Sequence, residues 1–250
     1  MVYEGSTVKP KEAGARSLET LRADVIACRS CPRLVAWREE VARVKVARFR
    51  GCTYWGRPVP GFGDPAARIA IVGLAPAAHG ANRTGRVFTG DRSGDFLFAA
   101  MYRAGLASQP TSVSAEDGLT LFGAYIVTAI RCAPPGNRPG PDEIARCAPF
   151  LDAEIDLLPR ARVLFALGAI AWRACVDHLA RRRSAAPKPL PAFSHGATWE
   201  GGGRVVIGSF HVSQQNTQTG KLTPEMFDDV LAAAKREAGI PRAGGRSRAT

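Results

Sequence analysis

Four continuous apolar runs recur along the chain, and they limit its fold more than any other feature. They are residues 68–72 (RIAIV), 125–130 (YIVTAI), 163–167 (VLFAL) and 204–208 (RVVIG). Each has strand length and lacks the apolar/polar alternation of a half-exposed strand. Helical patterns follow them at residues 94–105, at 141–158 behind a Pro-Asp-Glu opening, at 170–180, and at 224–238 behind Thr223. Buried strands separated by helices predict a parallel sheet with helices on both faces. Upstream, residues 17–46 carry a helical pattern through Leu18, Leu21, Val25, Cys28, Leu34, Val35 and Val41, and Pro32 divides it into two helices. Residues 51–65 form a Gly/Pro-rich loop.

A length of 250 residues suits one hydrophobic core. The reading is a flexible polar segment over residues 1–16, a single domain over 17–240, and a disordered basic Gly/Arg/Ser-rich tail over 241–250. No apolar run approaches the ~20 residues that cross a bilayer, and the first residues lack a signal-peptide pattern. A monomer of the cytoplasm, in the prokaryotic cytosol or nucleoid, is expected, with no membrane partner.

The formal net charge is +12, from 34 Lys and Arg against 22 Asp and Glu. Residues 29–57 alone hold eight basic and two acidic side chains. Such excess favours a polyanionic partner, because each phosphate contact releases counterions. Arg43, Lys45, Arg48 and Arg50 are the candidate phosphate contacts in that stretch.

Cys28 and Cys31 are spaced C-x2-C at a helix end, Cys132 follows the second strand, and Cys147 lies in the next helix. Two thiols from each half of the domain can meet at one metal centre, zinc or iron–sulfur, which spacing alone does not separate. The competing reading is four small apolar residues in a core. Cys52 and Cys175 have no such spacing and read as core residues.

In an open α/β sheet the ligand crevice lies beyond the carboxyl ends of the strands. Two long polar loops stand there: residues 73–91 (GLAPAAHGANRTGRVFTGD) and residues 210–223 (FHVSQQNTQTGKLT). Connections of that length are more often functional than not.

These two loops, together with C-x2-C and C-x14-C, resemble the uracil-DNA glycosylase superfamily, and within it family five, the B type with an iron–sulfur cluster. The resemblance spans roughly Leu21 to Ala238. It implies a three-layer αβα sandwich with a central four-stranded parallel sheet. It also implies a structural four-iron four-sulfur cluster on Cys28, Cys31, Cys132 and Cys147. The implied activity is DNA repair: a flipped uracil, or another deaminated base, is cut from DNA at its N-glycosidic bond and an abasic site remains.

The residues present suit that chemistry. The leaving base departs as an anion from an oxocarbenium-like sugar, so a hydrogen-bond donor must meet charge on the base, and His211 stands where one is needed. A carboxylate must activate water or face the cationic sugar; Asp91 is the acid of the first loop, and its alternative role is a helix N-cap before Gly94. Phe88 matches the aromatic on which the flipped base stacks. Gly73, Ala75 and Ala77 allow close backbone approach. His79 and Asn82 either place water or phosphate or brace the loop. Gln215 and Asn216 belong to the second loop, whose residues 214–222 are the candidate minor-groove wedge with Leu222 as its apolar tip, and Lys221 is a candidate DNA contact there. Thr128 stands where the sister A type has an Asn that reads uracil, and a hydroxyl there weakens uracil-specific readout.

Two readings compete. Residues 80–87 (GANRTGRV) nearly fit a phosphate loop, with Arg86 in place of Lys and Val87 in place of the magnesium-binding hydroxyl, which argues against a nucleotidase. A non-catalytic iron–sulfur or zinc DNA-binding module accounts for the charge and the cysteines but leaves residues 73–91 without a purpose.

Overall fold

A computed structural model describes residues 17–182 and 189–241. The calls on residues 1–16 and on nearly all of the 241–250 tail lie outside the described residues.

Among the described residues the first elements are α1 (Leu18–Ala27) and α2 (Pro32–Val44), separated at Pro32 as the sequence predicts. The sheet contains β1 (Phe62–Gly63), β2 (Ile69–Gly73), β3 (Ala124–Thr128), β4 (Val163–Leu167), β5 (Thr198–Gly201) and β6 (Arg204–Ser209), in the order β1-β3-β2-β4-β6-β5. The four central strands are the four predicted runs, and all their pairings are parallel. Two short antiparallel strands are added at the edges. β5 joins β6 through Gly202 and Gly203, both at positive φ, as a two-residue hairpin turn requires.

The helices are α3 (Ala81–Thr84), α4 (Arg92–Arg103), α5 (Pro141–Asp156), α6 (Ala169–Arg181), α7 (Gln214–Gln218) and α8 (Pro224–Glu237). Alternate strand residues enter opposite faces, as a period of two dictates. Ile71, Ile126, Phe165 and Ile207 pack with Leu97, Met101, Phe227 and Leu231 of α4 and α8. Val72, Val127, Leu164 and Val206 pack with Leu151, Ile155, Trp172 and Val176 of α5 and α6. The result is the three-layer αβα sandwich, buried on both sides, which explains the absence of polar alternation in the strands. No helix among the described residues is long and apolar enough to cross a membrane.

Between α5 and α6 lies a polar tie. Asp152 meets His178 Nδ1 at 2.9 Å and the Arg181 guanidinium at 2.7 Å. These partners outweigh burial and hold its carboxyl at about 2. Deeper in the same layer, the buried pair Arg131–Glu154 closes to 2.6 Å, and Glu154 also accepts from the Tyr125 hydroxyl and the Gly61 N–H.

Candidate active site and cysteine cavity

The segments after β2, β3 and β6 meet beyond the carboxyl ends of the strands around a cavity of ≈ 500 Å³. Ala75, Ala77, Phe88 and Asp91 line it from the first loop, and His211, Ser213, Gln215 and Asn216 from the last. A third wall, Gly136 to Arg138, comes from the stretch between Cys132 and Cys147. Sequence reasoning missed this wall, although the stretch PPGNRPG also follows a strand end and carries turn residues.

Phe88 is presented by a backbone in the left-handed region, with φ 52°. A non-glycine residue there costs about 1–3 kcal/mol and persists only where its surroundings impose it. Here several bonds do so. Arg83 donates from Nε to the His79 carbonyl and from Nη2 to the Gly90 carbonyl, both at 2.9 Å. Arg86 is buried and paired with Asp117 at 2.7 Å, and its Nε donates to Thr89 Oγ1 at 3.0 Å. That pairing removes Arg86 from any phosphate, so the phosphate-loop reading fails.

The Phe88 ring faces His211, with ring centroids 6.2 Å apart. Burial lowers the His211 imidazole to about 4, so it is neutral at physiological pH and can still donate one N–H. Its carbonyl accepts from Asn216 Nδ2 at 2.8 Å, which ties the second loop down. Asp91 is the N-cap of α4: its Oδ1 accepts from Gly94 N–H at 2.9 Å. The other oxygen lies over Gly80, where any side chain would collide with it. Burial raises the Asp91 carboxyl from its ordinary value despite the backbone donors Gly94 and Ser93. Capping and cavity lining are therefore compatible, because the two oxygens do different things.

Other candidates lie elsewhere. Gly73 is under the Phe88 ring rather than in the cavity lining. The His79 ring bonds the Tyr54 hydroxyl at 3.1 Å, outside that lining. Asn82 is buried and donates to the Arg38 and Ala78 carbonyls, which is the bracing role. Thr128 is buried, and its hydroxyl donates to the Ile130 carbonyl at 2.7 Å. Leu222 is a correction: it is fully buried in the core with Phe227 and Leu231, because the loop turns inward before α8, so it is no exposed wedge. Lys221 remains exposed, its Nζ 5.0 Å from the Phe210 ring.

The basic stretch is uneven. Arg43 pairs with Glu40 at 2.6 Å, and Lys45 donates to the Cys52 carbonyl at 2.7 Å. Arg48 lies 4.5 Å over the Phe49 ring, which also carries Arg83 at 4.0 Å. Arg48 and Arg50 are exposed and form no ion pair among the described residues.

Cys28, Cys31, Cys132 and Cys147 line one common cavity, closed by Leu34, Pro58, Ile130 and Phe150. All are free thiols. Burial pushes the Cys132 thiol up to about 11, against the pull of Arg38 beside it. The Arg131 N–H donates to Cys147 Sγ at 3.3 Å. Among the described residues, no group of three or more His, Cys, Asp or Glu is arranged to hold a metal ion. Cys175 is buried in the core as expected; Cys52 is partly exposed.

Comparison with known proteins agrees with this arrangement. The Uracil DNA glycosylase superfamily matches residues 60–235, from the edge strand to the last helix. A type-5 uracil-DNA glycosylase of Thermus thermophilus is 57% identical over 215 residues, covering 86% of this chain and 95% of its own. One of Mycobacterium tuberculosis is 52% identical over 229 residues, covering 91% and 84%. One of Pyrobaculum aerophilum is 44% identical over 215 residues, covering 86% and 91%. With both cavity-forming loops inside the matched span and the similarity extending over most of the chain, the protein belongs to the uracil-DNA glycosylase superfamily, on its type-5 branch.

Proposed function

We propose that the chain is a DNA-repair hydrolase that cuts the N-glycosidic bond of uracil, and of other deaminated bases, after the nucleotide has swung out of DNA into the ≈ 500 Å³ cavity. The observation that carries this reading is the meeting of three groups at that cavity: an aromatic ring, a neutral imidazole and a carboxylate. The extruded base stacks on Phe88. The C1′–N bond breaks with its electron pair leaving on the base, and the neutral His211 donates a hydrogen bond to the anionic oxygen that forms. Asp91, as carboxylate, faces the cationic sugar and takes the proton of the water that bonds to C1′. The products are the free base and an abasic site. Breadth of substrate follows from Thr128, whose committed hydroxyl offers no amide-like readout of a uracil edge.

The four cysteines supply the ligands of a structural four-iron four-sulfur cluster. They line one cavity, and two of the sulfurs already accept hydrogen bonds from Arg38 and the Arg131 main chain. A single zinc ion requires four sulfurs converging at about 2.3 Å. The four thiols line one cavity, as either four-cysteine centre requires, and the resemblance to the iron–sulfur type favours the cluster. When bound, the cluster supplies a covalent tie between α1, α2 and α5; it takes no part in bond cleavage.

A uracil-containing oligonucleotide treated with the protein and then with alkali tests the activity. Strand scission at the uracil is expected. Tight binding without scission would favour the non-catalytic module instead. Iron and acid-labile sulfide in anaerobically prepared protein test the cluster, and stoichiometric zinc without sulfide would replace it.

A further inference from the structure

We infer that Arg38 is the charge partner of the cysteine-bound cluster, and that it is retained for electrostatics rather than for packing. The inference rests on the cluster reading above. Arg38 is among the largest fully buried side chains of the protein, 2% exposed, on the inner face of α2. Its Nη1 donates to Cys132 Sγ at 3.0 Å and, at 3.4 Å, to the Cys28 carbonyl. Its nearest carboxylate, Glu39, lies 3.6 Å away and is largely exposed. Its Nε has no hydrogen-bond partner. Arg131, which lines the cavity, is equally buried, and its Nε and Nη1 are also without partners. One of its nitrogens is matched by Glu154, and Glu154 is itself engaged by Tyr125 and Gly61.

A buried guanidinium without a facing negative charge is strongly destabilising. Arg131 finds that charge in Glu154, whereas Arg38, buried against Cys132 with only the exposed Glu39 at 3.6 Å, carries a cost with little return while the thiols are protonated. Four thiolates on a cubane whose iron and sulfide sum to +2 leave a net charge of −2, and the cost is then reversed. Arg38, lacking a buried carboxylate of its own, is the residue on which the compensation chiefly rests. Asn82 Nδ2 donates to the Arg38 carbonyl at 3.2 Å, so the residue also joins α2 to the loop that carries Phe88 and Asp91.

The test compares Arg38→Met and Arg38→Lys with wild type, each as cluster-loaded protein and as apoprotein made by chelation. A packing role predicts that Arg38→Met lowers the melting temperature of both forms. Charge partnership predicts opposite signs: the loaded protein melts roughly 5–10 °C lower, and the apoprotein melts at or above wild-type apoprotein. The reduction potential of the loaded Arg38→Met protein should become more negative, because a cation beside the cluster has gone, and Arg38→Lys should restore it towards wild type. Equal destabilisation of both forms with an unchanged potential would overturn the inference. Where Arg38→Met does not accumulate, Arg38→Lys decides alone: a loaded protein of near wild-type potential supports partnership, and loss of the cluster overturns it. Wild-type protein free of iron and sulfide would refute the cluster itself, which is a separate outcome seen before any variant is made.

Discussion

The ring of Phe88 lies on the backbone of Gly73 so closely that a β-carbon on Gly73 would come within 2.7 Å of Phe88 Cζ. The first predicted pocket residue therefore acts from beneath the ring. Gly73→Ala should tilt or expel the ring and lower kcat/KM for uracil about 10-fold or more. Phe88→Ala should remove base stacking worth about 1–3 kcal/mol. Because both act through one ring, Gly73→Ala should add little in a Phe88→Ala background, and a double-mutant cycle measures this. Additive losses would show that Gly73 has a separate role.

Asp91 should separate stability from activity. Its raised pKa means that burial disfavours the carboxylate, so folding loses stability as pH rises from the unfolded pKa to the folded one. Asp91→Asn keeps an acceptor for the Gly94 N–H and removes the buried charge. The variant should melt at or above wild type at pH 7 while single-turnover cleavage falls about 100-fold or more. Full activity in this variant would limit Asp91 to capping.

His211 should contribute no pH limb between 5 and 8. Burial holds it at about 4, so the neutral form persists throughout that range. Any acid limb should belong to Asp91 and vanish from the residual activity of Asp91→Asn. His211→Ala should lower single-turnover cleavage about 10²–10³-fold with lesion affinity nearly intact, since it acts on charge that exists only in the transition state. An acid limb abolished by His211→Ala but retained in Asp91→Asn would reverse the assignment.

The exposed cations should govern DNA affinity. Neutralising Arg48 and Arg50 should weaken binding to lesion and plain DNA alike and flatten its salt dependence. Neutralising Arg43, which already has Glu40, should do less. Leu222→Ala should cost about 2–5 kcal/mol of stability, as a fully buried leucine does, without a specific defect in base extrusion. A stable Leu222→Ala protein defective only on duplex substrates would restore it as a wedge.

Acid should loosen the α5–α6 tie. Asp152 is held at about 2, below its unfolded value, so its contribution is complete above about pH 4 and lost as pH falls towards 2. Asp152→Asn should lower stability at pH 7 and narrow the gap to wild type at pH 2.5, measured by urea unfolding.

The central sheet was legible because unbroken apolar runs have few other solutions. The edge strands were not. β1 is two residues long, and β5 has the alternating exposure of an edge; the Gly202-Gly203 pair before β6 is a hairpin signal that went unread. The cavity loops were legible from their length and position. Individual roles were less so, because a polar side chain in a loop can face the cavity or brace the backbone. Gln215 does the first, Asn82 and Thr128 the second, Asn216 both, and composition does not distinguish them. Leu222 shows the same ambiguity for an apolar residue near a loop end.

The segment after β6 is anchored at both ends by core side chains, Val212 and Leu222, each fully buried, and the Leu222 N–H closes back on the Asn216 carbonyl at 3.0 Å. Between those anchors, positions other than Asn216, which holds the His211 carbonyl, can change without disturbing the sandwich beneath. That makes the rest of residues 213–221 an exchangeable cassette, on which new lesion preferences can be selected or engineered while the hydrophobic core is inherited unaltered.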